Sequence, residues 1–187
     1  MTPNEKILEY WFEDVTDETL IDKRALPFRK WFAKDPVLDQ EILEKFETDL
    51  TKARQGQYKD WEHSIRGRLA LIILFDQFSR NMYRNTHKMF ENDFLALELS
   101  LRSINEKIDG KLPLIERMFL YMPLMHSEDL DVQKLSLKYF EQLLEGAKQK
   151  FPQNAPYYQS NLRTTQQHFS IIKKFGRFVQ RDSSWNR

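Results

Sequence analysis

Residues 69–75 read Leu-Ala-Leu-Ile-Ile-Leu-Phe, an unbroken apolar run near the middle of the chain. Every position is apolar, so a helix built from it would be hydrophobic on all of its faces. Seven residues are far too few to cross a bilayer as a helix. We therefore predict that the stretch belongs to a central buried helix around which the other elements pack.

Helix-start and helix-stop residues divide the remaining chain into further helical segments. Thr2-Pro3 predicts a capped start, Asp35-Pro36 a second one, and Thr86 and Ser127 two more. Pro123 predicts the end of the helix that precedes Ser127. The predicted segments are 3–14, 36–56, 66–84, 86–110, 114–121 and 127–147, then a last helix from Pro156 to Gly176, with a loop over 56–64.

No segment alternates polar and apolar residues with the period of a strand, and no Asn-Gly or Asp-Gly hairpin signal occurs. The sequence therefore predicts an all-α fold of seven to eight helices packed as antiparallel hairpins. These would form either a tetratricopeptide-like helical array or an irregular bundle, and the lack of a fixed repeat length argues against the array. The 187 residues fit one domain over 1–187.

Composition narrows the function classes. The chain has no cysteine, which excludes disulfides and thiolate metal sites, and it shows neither a signal peptide nor an apolar run of membrane-spanning length. We therefore expect a cytoplasmic protein. The net charge of +1 hides a basic C-terminal fifth on an acidic body, and we expect the two to pair with each other, so that nucleic acid is an unlikely partner. Nucleotide-binding, zincin and α/β-hydrolase motifs do not occur in the sequence.

A polar edge follows the apolar stretch. On a continuing helix, Asp76, Arg80 and Arg84 recur every fourth residue, with Gln77 and Asn81 beside them. The simplest interpretation is an ion-pair ladder in which Asp76 neutralises Arg80. One carboxylate cannot neutralise several arginines, so the alternative is a bound carboxylate or phosphate. The other arginines that such an anion would meet are Arg84, Arg177 and Arg181.

Two further clusters carry candidate functional groups. His126 follows Tyr121 and Pro123 and is predicted at a corner between helices, with Glu128 just beyond it. Gln133 lies on an apolar helix stripe, where a polar side chain requires a partner. His168 also lies on a largely apolar face, which is more typical of a hydrogen-bonded core histidine than of a catalytic base.

Three stretches resemble the signature blocks of an uncharacterised bacterial family, domain of unknown function 924. They are LFDQFSRNMYR over 74–84, FLYMPLMHSE over 119–128 and HFSIIKKFGRF over 168–178. The resemblance implies an all-helical fold of the tetratricopeptide-like superfamily and no established activity. Where the family pattern has Pro in the first block this chain has Ser79, and where it has His after the third block this chain has Gln180.

These observations favour binding of a small anionic molecule or an acidic peptide in a central cleft. The alternative is a hydrolase acting on a phosphorylated or carboxylated small molecule, with His126 or His168 as acid or base oriented by Glu128 or Asp76. We expect no cofactor and no metal, because the arginines would repel a divalent cation. The predicted site residues are Asp76, Gln77, Arg80, Asn81, Arg84, Tyr121, His126, Glu128, Gln133, His168, Arg177 and Arg181.

Overall fold

The computed structural model describes residues 1–22 and 28–181. These residues form eight helices, with turns and short 3₁₀ segments between them, and no β-strand. The all-α prediction is thereby confirmed. The helices are α1 (Pro3–Phe12), α2 (Phe28–Phe32), α3 (Pro36–Arg54), α4 (residues 65–82), α5 (Asp93–Asn105), α6 (Leu114–His126), α7 (Leu130–Lys150) and α8 (Ala155–Phe175).

Helix α4 is the central element that the apolar stretch predicts. Its residues from Leu69 to Leu74 are almost completely inaccessible to solvent, and helices α1, α3, α5 and α6 pack around it. The helix is not uniform, since α-helical turns at Ile65–Ile72 and Ser79–Met82 flank a π-helical segment, Ile73–Phe78. The wider π turn places Asp76 and Gln77 in the protein interior.

Several helix ends agree with the capping signals. The main-chain N–H of Thr2 donates to Glu5 at 2.7 Å, and Asp35 caps α3 by accepting from the main-chain N–H of Val37 at 3.0 Å. Gly176 ends α8 in the left-handed conformation, with φ of 71°, which a residue without a Cβ adopts at low cost.

The structure corrects the prediction that Pro123 ends a helix. Helix α6 continues through the proline to His126, and Ser127 caps the C-terminal end of α6 and not the start of α7. Both the proline and the helix around it are buried, so tertiary packing holds the turn in place. The Leu120 carbonyl, three residues before the proline, also accepts a hydrogen bond from the Ser100 hydroxyl at 2.6 Å.

The start of α7 and the segment after α4 also differ from the predictions. Asp129 caps α7 by accepting from two main-chain N–H groups of its first turn. The predicted helix over 86–110 is a 3₁₀ turn, His87–Phe90, followed by α5, so Thr86 caps no α-helix. The predicted loop over 56–64 contains the 3₁₀ turn Lys59–His63, and α2 was not predicted.

Helices α6, α7 and α8 complete the fold as successive antiparallel neighbours. Only residues 151–154 connect α7 to α8, and the two helices pack along their lengths. The C-terminal end of α6 therefore lies against both α4 and α8, which is where the candidate site is found. None of the described helices combines the length and the apolar composition that crossing a membrane requires.

Candidate functional site

The site is built around one buried carboxylate. Asp76 has no solvent-accessible surface and accepts from three side chains. Its Oδ1 lies 2.9 Å from Arg80 Nη1 and 2.7 Å from His126 Nδ1, and its Oδ2 lies 2.5 Å from Gln77 Nε2. The π-helical segment of α4 supplies Asp76 and Gln77, and the last residue of α6 is His126. Of the two carboxylates predicted to orient His126, Asp76 is the one in contact.

The charge state of Asp76 follows from its neighbours. Burial raises the pKa of this carboxyl, but the positive charge of Arg80 and the hydrogen bonds from His126 and Gln77 lower it further than burial raises it. The net result is a pKa well below the usual range, so Asp76 is ionised. An ionised carboxylate is only an acceptor, and it therefore fixes the His126 tautomer that carries a proton on Nδ1. The other ring nitrogen, Nε2, is left for a ligand.

Arg80 has a second acidic partner, Asp93 of α5. Arg80 Nη1 lies 2.9 Å from Asp93 Oδ1, and Arg181 Nη2 lies 3.3 Å from Asp93 Oδ2. Arg181 also donates to the main-chain carbonyl of His126 at 2.9 Å. The guanidinium group of Arg181 stacks on the Phe90 ring at 4.3 Å. The 3₁₀ turn after α8 is thereby held against the histidine.

Arg84 is paired with Asp39 of α3 in a two-pronged ion pair. Arg84 Nε and Nη2 donate to the two carboxylate oxygens at 2.5 and 2.7 Å, and Asn81 donates to Asp39 Oδ1 at 2.8 Å. Sequence reasoning assigned neither this carboxylate nor Asp93. Three arginines at the site therefore meet three carboxylates, and the large excess of positive charge inferred from the sequence is absent from the described site.

His168 of α8 is the second histidine of the site. Its Nδ1 lies 3.0 Å from the Met125 carbonyl, which can only accept, so Nδ1 carries the proton. Burial lowers the pKa of His168 to about 4, and the positive charges of Arg181 and Arg80 lower it as well. The ring is therefore neutral near pH 7, with a free lone pair on Nε2. The ring centroids of the two histidines are 6.3 Å apart.

Both histidines line a cavity of about 570 Å³, a volume typical of small-molecule sites. The apolar part of the lining consists of Phe28, Trp31, Phe32, Met122 and Met125. The polar part includes the predicted residues Gln77, Arg80, Asn81, Arg84, His126 and His168. Behind the histidines lies a smaller cavity of about 140 Å³, whose lining includes Arg181 and Gln180. Gln180 is the position where the chain departs from the family pattern.

Besides the buried Asp76, four predicted residues line neither cavity. The Tyr121 hydroxyl donates to Asp109, away from the site. Glu128 accepts from the main-chain N–H of Phe178 at 2.9 Å and so fastens the segment after α8. Arg177 is exposed to solvent. Gln133 is fully buried and donates to the carbonyls of Met125 at 2.9 Å and Ser127 at 2.7 Å, which confirms that this side chain needed a partner.

A polar part of the cavity lining, on α8, was not predicted from the sequence. Ser160, Asn161 and Thr164 line the cavity one and two turns before His168. Their spacing places them on one face of a helix, so a polar stripe that ends in a histidine was the available signal. Among the described residues, no group of three or more His, Cys, Asp or Glu side chains could hold a metal ion.

Known proteins similar to this chain share its fold, and none of them has an assigned function. The structure is similar to that of a protein of unknown function from Agrobacterium tumefaciens, with a TM-score of 0.76 and 27% sequence identity. The similarity covers 98% of this chain and 90% of the other. The search of curated proteins found no match. The model of a bacterial protein family of unknown function, DUF924, matches residues 7–187, and the chain therefore belongs to that family.

Proposed function

We propose that this protein binds a small organic anion that carries an apolar, ring-sized group. The proposal rests on the mixed lining of the 570 Å³ cavity. Phe28, Trp31 and Phe32 offer aromatic surface, and the guanidinium group of Arg84 offers N–H donors. Sites of this kind bind the apolar body of a ligand by burial and orient it through a few polar contacts.

The charge of the cavity wall favours a single negative charge on the ligand. Arg84 uses Nε and Nη2 for Asp39, which leaves the N–H groups of Nη1 for another acceptor, and a quarter of its side chain is accessible. The neighbouring carboxylates neutralise most of the arginine charge. A carboxylate carries one negative charge and needs less positive charge around it than a phosphate dianion. An organic carboxylate therefore fits this lining best.

The proposal extends to an alternative ligand and to the compartment in which the protein acts. The resemblance implies a tetratricopeptide-like fold, and arrays of that kind often bind peptides, so by analogy between folds the carboxylate of an acidic peptide terminus is the alternative ligand. We also propose that the protein acts in the cytoplasm, because a chain without cysteine suits a reducing compartment.

The test compares a carboxylate with its uncharged amide. Thermal unfolding is followed with phenylacetate, phenylacetamide, inorganic phosphate and an acidic tripeptide. At 100 times its dissociation constant, a ligand adds about 2.7 kcal/mol to stability, which for a chain of this size raises the midpoint by about 5–10 °C. We expect phenylacetate to raise the midpoint and phenylacetamide to leave it unchanged. Equal shifts with both, or no shift with any probe, would contradict the proposal.

Two cavity variants and one control localise the binding. Thr164→Trp fills the cavity from α8 without altering an ion pair, and Phe32→Ser removes part of the aromatic wall. Both should abolish the phenylacetate shift. Arg163→Gln is the matched control, because Arg163 neighbours Thr164 in sequence but is exposed and lines neither cavity. A shift that persists in Thr164→Trp would place the ligand elsewhere on the protein.

A further inference from the structure

We infer that the cavity is also catalytic, and that His126 transfers a proton in the hydrolysis of a carboxylic ester with an apolar acyl group. The inference rests on the proposed function, because the carboxylate product of this reaction is the ligand class assigned to the cavity. It adds a reaction, a substrate class and separate roles for His126, Asp76 and His168.

The geometry around His126 is that of an oriented acid–base residue. Asp76 Oδ1 holds Nδ1 at 2.7 Å, and Arg181 holds the main-chain carbonyl of the same residue at 2.9 Å. Only 17% of the His126 side chain is accessible, so the ring has little freedom to turn. A carboxylate behind a histidine fixes its tautomer and stabilises the positive charge that forms when Nε2 accepts a proton. Nε2 is on the opposite edge of the ring from the buried carboxylate.

A purely structural role leaves two features of this cluster unexplained. Arg80 and Gln77 already supply donors to both oxygens of Asp76, so the charge of this carboxylate is neutralised without a histidine. The carboxylate also lies on a π-helical segment, Ile73–Phe78. Such segments are rare within helices and occur frequently at functional sites. Together these features indicate that Asp76 is placed in the interior to orient His126.

The reaction uses one water molecule and returns the histidine to its starting state. The water oxygen forms a bond to the ester carbonyl carbon while His126 Nε2 takes a proton from it. Negative charge develops on the carbonyl oxygen, where the N–H groups of Arg84 Nη1 donate to it. The bond between the carbon and the alcohol oxygen then breaks, and His126 returns the proton to that oxygen. The products are an alcohol and a carboxylic acid, which ionises.

His168 and the local charge balance complete the assignment. A neutral His168 has a free lone pair on Nε2, which can accept the second proton of the attacking water in a hydrogen bond, so we assign it as a positioning residue. Phosphate monoesters carry two negative charges, and the arginines here are already matched by Asp39, Asp76 and Asp93. An uncharged ester that develops one negative charge suits the site better.

Hydrolysis of p-nitrophenyl butyrate tests the inference on the full-length protein. We expect His126→Gln to lower kcat/KM at least 100-fold, the minimum usual for loss of a general acid or base. Asp76→Asn should lower kcat with little change in KM, because Asp76 acts through the histidine and not on the substrate. His87→Gln is the matched control, because His87 is exposed and lines neither cavity. Phenylacetate should inhibit competitively.

The outcomes separate this inference from the binding proposal. Wild-type turnover no faster than that of His126→Gln, with phenylacetate still bound, would overturn the catalytic assignment and leave the binding proposal standing. Turnover of p-nitrophenyl phosphate alone would overturn the ester assignment. If His126→Gln does not fold, Thr164→Trp must abolish turnover, because it blocks the cavity without touching the charged groups. Turnover that survives in a folded Thr164→Trp would equally overturn the inference.

Discussion

His168 should make the folded protein less stable as the pH falls below about 6.5. Burial and the nearby positive charges lower the folded-state pKa of His168 to about 4, whereas the unfolded value is about 6.5. Between these two pH values the unfolded chain binds a proton that the folded protein does not, so the free energy of unfolding decreases as the pH decreases. Above pH 6.5 both states are neutral at this residue and the contribution is absent.

The size of the effect follows from the difference between the two pKa values. At pH 5 the pH is about 1.5 units below the unfolded pKa, which corresponds to about 2 kcal/mol at about 1.4 kcal/mol for each tenfold change in proton binding. Partial exposure of His168 screens the neighbouring charges, which reduces the expected loss to about 1 kcal/mol. His168→Asn removes the titration, and the amide of its side chain can still donate to the Met125 carbonyl.

Urea unfolding, followed by circular dichroism at pH 7.5 and pH 5.0, measures this contribution. The wild type should lose about 1 kcal/mol more than His168→Asn between the two pH values. His87→Asn controls for loss of an exposed histidine, and it should retain the wild-type pH dependence. Equal losses in the wild type and His168→Asn would refute the reasoning, because they would mean that His168 has the same proton affinity in both states.

Three further substitutions test the packing around the site by the same urea unfolding measurement. Arg80→Ala leaves Asp76, which is fully buried, and Asp93 without their shared cation, and it should lower the free energy of unfolding by about 3–5 kcal/mol. A loss below about 1 kcal/mol would contradict a stabilising role for these ion pairs. Gly67→Ala should cost at least about 2 kcal/mol, because a Cβ would lie 2.1 Å from the Trp61 carbonyl oxygen; a neutral effect would exclude this contact. Asn154→Ala should cost about 2–3 kcal/mol, because its buried side chain satisfies three main-chain groups of residues 17–21.

Local sequence signals predicted the helices better than they predicted where the helices end. The unbroken apolar run identified α4 and an apolar stripe identified α7, because burial of such a run or stripe is a property of the segment itself. The bounds of α8 were predicted from Pro156 and Gly176. The helix end predicted at Pro123 was wrong because the local cost of a proline within a helix does not include packing in the surrounding core. In the folded protein, packing against neighbouring helices keeps the turns on both sides of the proline together. This stabilisation comes from residues outside the segment, so the sequence of the segment alone does not predict it.

The arginines of the site and one of their acceptors, Asp76, were predicted, whereas the acceptors Asp39 and Asp93 were missed. Asp76, Arg80 and Arg84 follow one another on one helix, so their proximity is visible in the spacing. Asp39 is 45 residues from its partner Arg84, and no pattern along the chain links the two. Counting charges within one segment therefore overstated the positive charge of the site. The partner of His126 was identified only as one of two candidates for the same reason, since Asp76 is 50 residues away.

The glutamine at position 180 bears directly on the chemistry proposed for the cavity. Gln180 lines the smaller cavity together with His126 and His168, at the position where the resemblance to the family's third block implies a histidine. An amide forms hydrogen bonds but does not titrate near neutral pH, so position 180 cannot supply or take up a proton in this chain. The groups that hold His126 in place, Asp76 and Arg181, are both present. Acid–base chemistry at this site must therefore depend on His126 or His168, which is why the His126→Gln measurement decides between a binding protein and an enzyme.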